Sequence, residues 1–320
     1  MSEQPVFKPF PLWTGRHVQT IGAFVLSFGS NPSAVKRFVY LPDGDKLMIE
    51  TATPKGWEDE DKTAVLIHGL CGSHRSPYVV RMTRKLLKRG VRVVRVNLRG
   101  CGSGRGHAKK LYHSESSDDV WQAIEEIKRE APRSPIILIG YSLGGNIVLK
   151  MGGERREETE RLIDKLISVN PPIDVESTIK LLSKNHFYER YFMTVLRQDV
   201  ACLHQSFHEL PPIRIPRGMT LLEFNEFYTA PQSGYNDVRD YYNACSCRRL
   251  VYDVSVSCSI LFSRDDPLVD CNVIDRSNLP ENVDVTVAER GGHLGYLGFP
   301  GQKGGFHWMD SILLRWIFDR

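Results

Sequence analysis

Five residues carry the strongest chemical signal in the chain: Gly140-Tyr141-Ser142-Leu143-Gly144, a G-x-S-x-G motif. The motif alone is weak, because Gly and Ser are common enough for it to arise by accident. Its flanks give it meaning. The apolar run at 135–139 reads as a buried strand, and Asn146-Ile147-Val148-Leu149 belongs to a helix that follows at once. A strand, a sharp turn and a helix in that order lift a serine hydroxyl clear of a sheet edge. The turn leaves little room for side chains, so glycine stands on both sides. Free N–H groups at the helix start face any negative charge developing there. Ser142 is the candidate nucleophile.

A serine hydroxyl is a poor nucleophile near neutrality and needs a base within hydrogen-bond reach. Of the ten histidines, His293 stands out in Gly291-Gly292-His293-Leu294-Gly295, directly after the last predicted strand. Glycines there remove obstruction, so the ring can swing towards a neighbouring strand end. The imidazole needs an acceptor to fix its tautomer and stabilise its cation. Asp265-Asp266-Pro267-Leu268-Val269 follows a predicted strand and offers two. Asp266, followed by Pro and two apolar residues, is the favoured acid; Asp265 is the runner-up, otherwise a surface or cap residue at the strand end. Developing oxyanion charge needs aimed donors. The Leu143 N–H is one candidate. The second is the Leu70 N–H in His68-Gly69-Leu70-Cys71-Gly72, where Gly69 lets the backbone turn inward. His68 reads as a hydrogen-bond partner that fixes this loop, and Cys71 as lining.

The elements that must position these groups alternate. Runs at 37–41 and 46–50 flank Pro42-Asp43-Gly44-Asp45, a hairpin signal. Continuous apolar runs at 63–67, 91–96, 135–139 and 165–170 suit strands covered on both faces. Helices are expected at 79–89, stopped by Gly90; at 117–131, with Ser117 or Asp118 as N-cap; and at 145–151. Repeating β-then-α units require crossovers, hence a mostly parallel sheet with helices on both faces. The rhythm breaks at Pro171-Pro172. Residues 173–246 read as helical and unusually aromatic, after which strands return at 258–262 and 283–287 and a helix closes at 311–318. The expected organisation is a core from 1–172 and 247–320 interrupted by a helical cap at 173–246, with no internal repeat or low-complexity tract.

Composition narrows the classes. With 42 Lys+Arg against 38 Asp+Glu, 41% hydrophobic and 25% charged residues, the chain is neither disordered nor a coiled coil. Basic residues are mixed with acids, without a stripe that would suit nucleic acid. Asn97-Leu98-Arg99-Gly100-Cys101-Gly102-Ser103-Gly104 misses the dinucleotide fingerprint, because Arg105 or His107 stands at the last glycine position. There is no phosphate-binding G-x-x-x-x-G-K-[ST] either, and Cys245-Ser246-Cys247 lacks a second pair at zinc spacing. No cofactor and no metal are expected. Seven scattered cysteines show no disulfide framework, residues 1–5 do not begin a signal peptide, and the apolar run at 21–28 is far short of the roughly 20 residues of a membrane span. A cytoplasmic protein without an integral membrane segment is expected.

Taken together, His68-Gly69-Leu70-x-Gly72, Arg99-Gly100-x-Gly102-x-Gly104, Gly140-Tyr141-Ser142-Leu143-Gly144-Gly145-Asn146, Asp265-Asp266-Pro267 and Gly292-His293-Leu294-Gly295 resemble the YheT-like branch of the α/β-hydrolases, which includes bacterial esterases and eukaryotic α/β-hydrolase-domain lipases. His17-Val18-Gln19-Thr20 and Thr229-Ala230-Pro231 extend the likeness over nearly the whole chain. The order Ser…Asp…His also matches that superfamily. The resemblance implies an α/β-hydrolase fold and a Ser-Asp-His hydrolase of carboxylic esters, monoacylglycerols and phospholipids among them, with Ser142, Asp266 and His293 in those roles. Asn97 and Asn225 depart from the acids expected at their positions, outside the proposed triad. The expected substrate is a small-molecule ester with an apolar acyl or alkyl group, short or medium in length. Alternatives are an acyltransferase or thioesterase with the same triad, or a non-catalytic binding protein of the same fold.

Overall fold

The computed structural model describes residues 6–26, 29–302 and 304–318. The reading of residues 1–5 lies outside the described residues, as does part of the apolar run at 21–28.

An eight-stranded sheet runs β1 (Val35–Tyr40), β2 (Lys46–Ala52), β4 (Arg92–Asn97), β3 (Thr63–Ile67), β5 (Ile136–Tyr141), β6 (Lys165–Val169), β7 (Cys258–Ser263) and β8 (Val283–Ala288) in spatial order. β1 and β2 form the hairpin expected around Asp43-Gly44, with Tyr40 opposite Lys46 and Gly44 at a φ of +87°. β2 is antiparallel to β4, and every later pairing is parallel.

The continuous apolar runs are explained by cover on both faces. In β3, Ala64 and Leu66 pack on one side with α2 (Pro77–Leu87) and α10 (Trp308–Phe318). Val65 and Ile67 pack on the other with α3 (Ser117–Glu130) and α4 (Leu143–Leu162). Alternation of side chains along a strand sends successive residues into different cores, so neither parity is free to be polar.

Several boundaries differ from expectation. α3 begins at Ser117 with Ser116 before it, so neither Ser117 nor Asp118 occupies the N-cap position. α4 runs far beyond 151, through Gly152-Gly153, with a kink at Arg156. A Cβ at Gly153 would stand 2.1 Å from the Leu250 carbonyl oxygen, so these glycines permit close packing and do not end the helix. α1 (Arg16–Val25) was not expected as a helix at all. Its outward residues are apolar, which hides the usual amphipathic pattern.

Between β6 and β7 lie α5 (Val175–Ser183), α6 (His186–Ser206), α7 (Leu221–Phe224), a π-helical turn at Asn225–Thr229, α8 (Ala230–Gln232) and α9 (Val238–Cys245). The aromatic block divides here. Tyr188, Phe224, Tyr228, Tyr241 and Tyr242 are buried and join the core above the sheet, while Phe187, Tyr191 and Phe227 stay exposed. Among the described residues no helix is long and apolar enough to cross a membrane.

Two histidines, His68 buried and His113 half-buried, tie stability to pH. Burial pushes His68 down to about 4, and burial together with Arg99 and Lys110 does the same for His113, against about 6.5 in an unfolded chain. Between those values the unfolded state binds more protons, so stability is lost as pH falls from 6.5 towards 4. Calorimetry is expected to show Tm falling over that window at constant ionic strength.

Candidate active site

The parallel register decides where chemistry can gather. Ile67 lies beside Gly140, Tyr141 beside Val169, and Val169 beside Leu261, so the carboxyl ends of β3, β5, β6 and β7 finish along one line. In open α/β sheets, ligands bind outside those ends. Ser142 follows β5, Asp266 follows β7 and His293 follows β8.

Ser142 sits at φ +52° and ψ −121°, a conformation that costs a non-glycine residue about 1–3 kcal/mol and persists only under external restraint. Its N–H donates to the Val169 carbonyl at 2.8 Å, and its own carbonyl accepts the Asn146 N–H at 3.1 Å. The flanking glycines are required by contact. A Cβ on Gly140 would stand 2.2 Å from the Gly144 carbonyl oxygen, and one on Gly144 would stand 2.6 Å from the carbonyl oxygens of Ile67 and His68.

His293 Nε2 lies 2.8 Å from Ser142 Oγ, and its Nδ1 lies 2.8 Å from Asp266 Oδ2. The carboxylate can only accept, so Nδ1 carries the proton and Nε2 is left to accept the serine O–H. Asp266 is itself fixed. Oδ2 also accepts the Asn170 amide at 2.7 Å, and Oδ1 accepts the N–H groups of Leu268 at 2.8 Å and Val269 at 3.1 Å. Asn170 is held in turn by the Tyr296 hydroxyl, which donates to its Oδ1 at 2.9 Å. Asn170 was missed by the sequence reading; the available signal was an asparagine just after a buried strand, at a φ of +46° that Asn tolerates.

Asp265 does not touch the imidazole. Its Oδ1 accepts the Gly292 N–H at 2.9 Å and the Ser263 hydroxyl at 2.6 Å, which anchors the loop carrying His293. The glycines of that loop also serve differently from expectation. A Cβ on Gly292 would stand 2.4 Å from the Arg16 carbonyl oxygen, and one on Gly295 would stand 2.6 Å from that of Gln19. They let α1 lie directly on the loop. Thr20 Oγ1 accepts the His293 N–H at 2.9 Å. Gln19, fully buried, accepts the Leu297 N–H at 2.6 Å and donates to the Leu297 carbonyl at 3.0 Å.

The loop after β3 is equally tied down. His68 donates from Nδ1 to the Gly69 carbonyl at 2.8 Å and accepts the Leu98 N–H at Nε2, 3.2 Å away. Burial keeps its ring neutral, so it acts as the expected loop-fixing partner. A Cβ on Gly69 would stand 3.0 Å from Ser142 Cβ, so this loop passes directly beside the serine, with Leu70 the next residue along it. Leu143 is the first residue of α4, where an N–H has no intrahelical acceptor. Leu70, Leu143, Ser142 and His293 line one cavity together. The Cys71 thiol is pushed well above its ordinary pKa by burial, with Asp199 adding to the effect, so it stays protonated near neutrality. Asn97 anchors a neighbouring loop, accepting the His74 N–H at 3.0 Å, and Asn225 donates to the Tyr242 hydroxyl at 3.1 Å. Among the described residues no cluster of three or more His, Cys, Asp or Glu side chains is arranged to hold a metal ion.

Two cavities meet at Ser142 and His293. One, of about 1030 Å³ with its opening, runs beneath the helices between β6 and β7 past Val175, Ile179, Leu182, Leu221 and Phe224. The other, about 1080 Å³ on the same measure, runs between α1, the start of α2 and α6. Neither is a minor crevice.

A sequence model described as alpha/beta hydrolase fold matches residues 63–300. The chain belongs to the alpha/beta hydrolase fold family, and it is a hydrolase. "Putative esterase YheT" of Escherichia coli (strain K12) is 29% identical over 87% of this chain and 82% of that protein, which agrees with the branch read from the motifs. The monoacylglycerol lipase of Saccharomyces cerevisiae is 22% identical over 87% of this chain, which spans 62% of the yeast protein. Among solved structures, the esterase Pf2001 of Pyrococcus furiosus is similar in fold, with a TM-score of 0.54 at 19% identity, covering 92% of this chain and 91% of that one.

Gln19→Ala leaves the buried Leu297 N–H without its acceptor and removes one of the two donors to the Leu297 carbonyl, the other being the Phe10 N–H. A loss of about 2 kcal/mol in stability is expected, read by urea denaturation; no loss would show that α1 does not clamp the loop.

Proposed function

We propose that the chain is a serine esterase that cleaves carboxylic esters through an acyl-enzyme, with Ser142, His293 and Asp266 as its triad. The observation that carries this reading is the pair of 2.8 Å contacts joining serine to imidazole and imidazole to carboxylate. Ser142 Oγ attacks the ester carbonyl while His293 Nε2 takes its proton. Asp266 holds the Nδ1 proton and offsets the imidazolium charge. The Leu70 and Leu143 N–H groups receive the oxyanion, a contribution of about 3 kcal/mol per donor in comparable sites. The tetrahedral adduct collapses, and His293 returns the proton to the departing alkoxide. Water, deprotonated by the same nitrogen, then releases the acid and restores Ser142.

Residues 173–246 act in this reading as a cap, and the apolar cavity beneath it takes the acyl chain. The alcohol leaves through the second cavity. The relatives named as an esterase and a monoacylglycerol lipase support an ester of an apolar, short- or medium-chain acid.

Nitrophenyl esters of rising acyl length test the proposal. Rates are expected to climb from acetyl to medium-chain acyl groups and to fall by at least about a thousand-fold in Ser142→Ala. Equal rates for the two proteins overturn it. The acid is tested separately: Asp266→Asn is expected to lower kcat by about 10³–10⁴-fold. Asp265→Asn, which weakens only the hydrogen bonds from Gly292 and Ser263 and leaves the imidazole's acceptor in place, is expected to lower it by less than about tenfold.

A further inference from the structure

The surface around the second cavity has two features that the ester chemistry does not use. The first is apolar. α1 turns Gln19 and Ala23 inward, while Val18, Ile21, Phe24 and Val25 face solvent at 46%, 40%, 57% and 65% exposure. Phe187 and Tyr191, one turn apart on α6, are 65% and 43% exposed. Ile21, Phe24, Phe187 and Tyr191 line the same cavity that ends at Ser142 and His293, so they form one rim and are not scattered. A contiguous apolar patch of this kind on a globular chain marks an interaction site.

The second feature is cationic. His186, Arg190, Met193 and Arg197 recur at helical spacing on α6, on the face next to Phe187 and Tyr191. With Arg214 and Arg217 they line a groove. Its one acid, Glu189, is buried and accepts the Leu221 N–H at 3.2 Å. Arg197 donates to the Pro216 carbonyl at 3.3 Å, and Arg190, Arg214 and Arg217 enter no ion pair among the described residues. At the other border of the rim, Arg16 begins α1 and is exposed.

We infer that the outer faces of α1 and α6 dock on an anionic lipid surface, with the mouth of the second cavity pressed against it. The exposed aliphatic and aromatic side chains enter the acyl–headgroup boundary, and the arginines flank them at the level of phosphate groups, as in helices that lie on a membrane without spanning it. An apolar rim around an apolar cavity is what a lipid tail needs and a nucleic acid does not. Docking rests on this surface alone. Only delivery of the docked lipid to Ser142 rests on the esterase reading.

The test is sedimentation of the purified full chain with phosphatidylcholine vesicles, plain or containing about 30% phosphatidylglycerol. Wild type is expected to pellet at least about ten-fold more strongly with the anionic vesicles, and to lose that gain at high salt. Val18→Asp/Val25→Asp is expected to stay in the supernatant with both. Arg214→Glu/Arg217→Glu is expected to lose the anionic preference alone. These four positions lie outside both substrate cavities, so hydrolysis of nitrophenyl acetate is expected at the wild-type rate in both variants, which also reports that they fold. Wild type that stays in the supernatant overturns the inference, as do variants that pellet like wild type, or an arginine groove that captures a short RNA while no vesicle sediments the protein. Pelleting without ester hydrolysis sinks the esterase reading and leaves the docking surface standing; hydrolysis without pelleting does the reverse.

Discussion

The arrangement depends on one constraint: parallel strands in register end together, and the chain must then hold three loops from separated strands at hydrogen-bond distance. Register alone brings β5, β7 and β8 to the same edge. It does not fix a side chain to within tenths of an ångström. That accuracy comes from secondary contacts: two backbone bonds on Ser142, three further donors on Asp266, and α1 on the loop of His293. Preorganised sites require such supporting partners, because a hydrogen bond misplaced by an ångström contributes little.

The strands were legible because burial on both faces leaves a mark no other element leaves, an unbroken apolar run such as 63–67 or 135–139. The elbow was legible because its contacts with Gly140 and Gly144 exclude any other residue type. The Asp265-Asp266 choice could not be made by spacing with certainty. Both carboxylates bind the His293 segment, one through the imidazole and the other through the Gly292 backbone, so their neighbourhood in sequence mirrors a shared task. α1 escaped notice because the polarity of its faces is inverted. Its buried contacts run through a glutamine and an alanine, whereas its large apolar residues face solvent. Asn170 escaped because a single amide after a strand matches no pattern; its role exists only once Asp266 and Tyr296 have been brought to it from 96 and 126 residues away.

The same inversion ties α1 to both sides of the molecule. Its inner face holds the loop of His293 and its outer face borders the cavity that reaches Ser142, so one helix of ten residues connects the surface with the candidate site. α6 plays the matching part across the mouth, burying Tyr188 and Leu196 beneath while it exposes Phe187 and Tyr191.

The bond between Gln19 and Leu297 spans 278 positions. During synthesis the elbow, its strands and the waiting helix leave the ribosome long before the imidazole does. A nascent chain therefore lacks the contact between Ser142 and His293 until the segment around His293 emerges and docks on α1. The contacts among Ser142, His293 and Asp266 exist only after that late docking, as a property of the folded chain and of no shorter stretch of it.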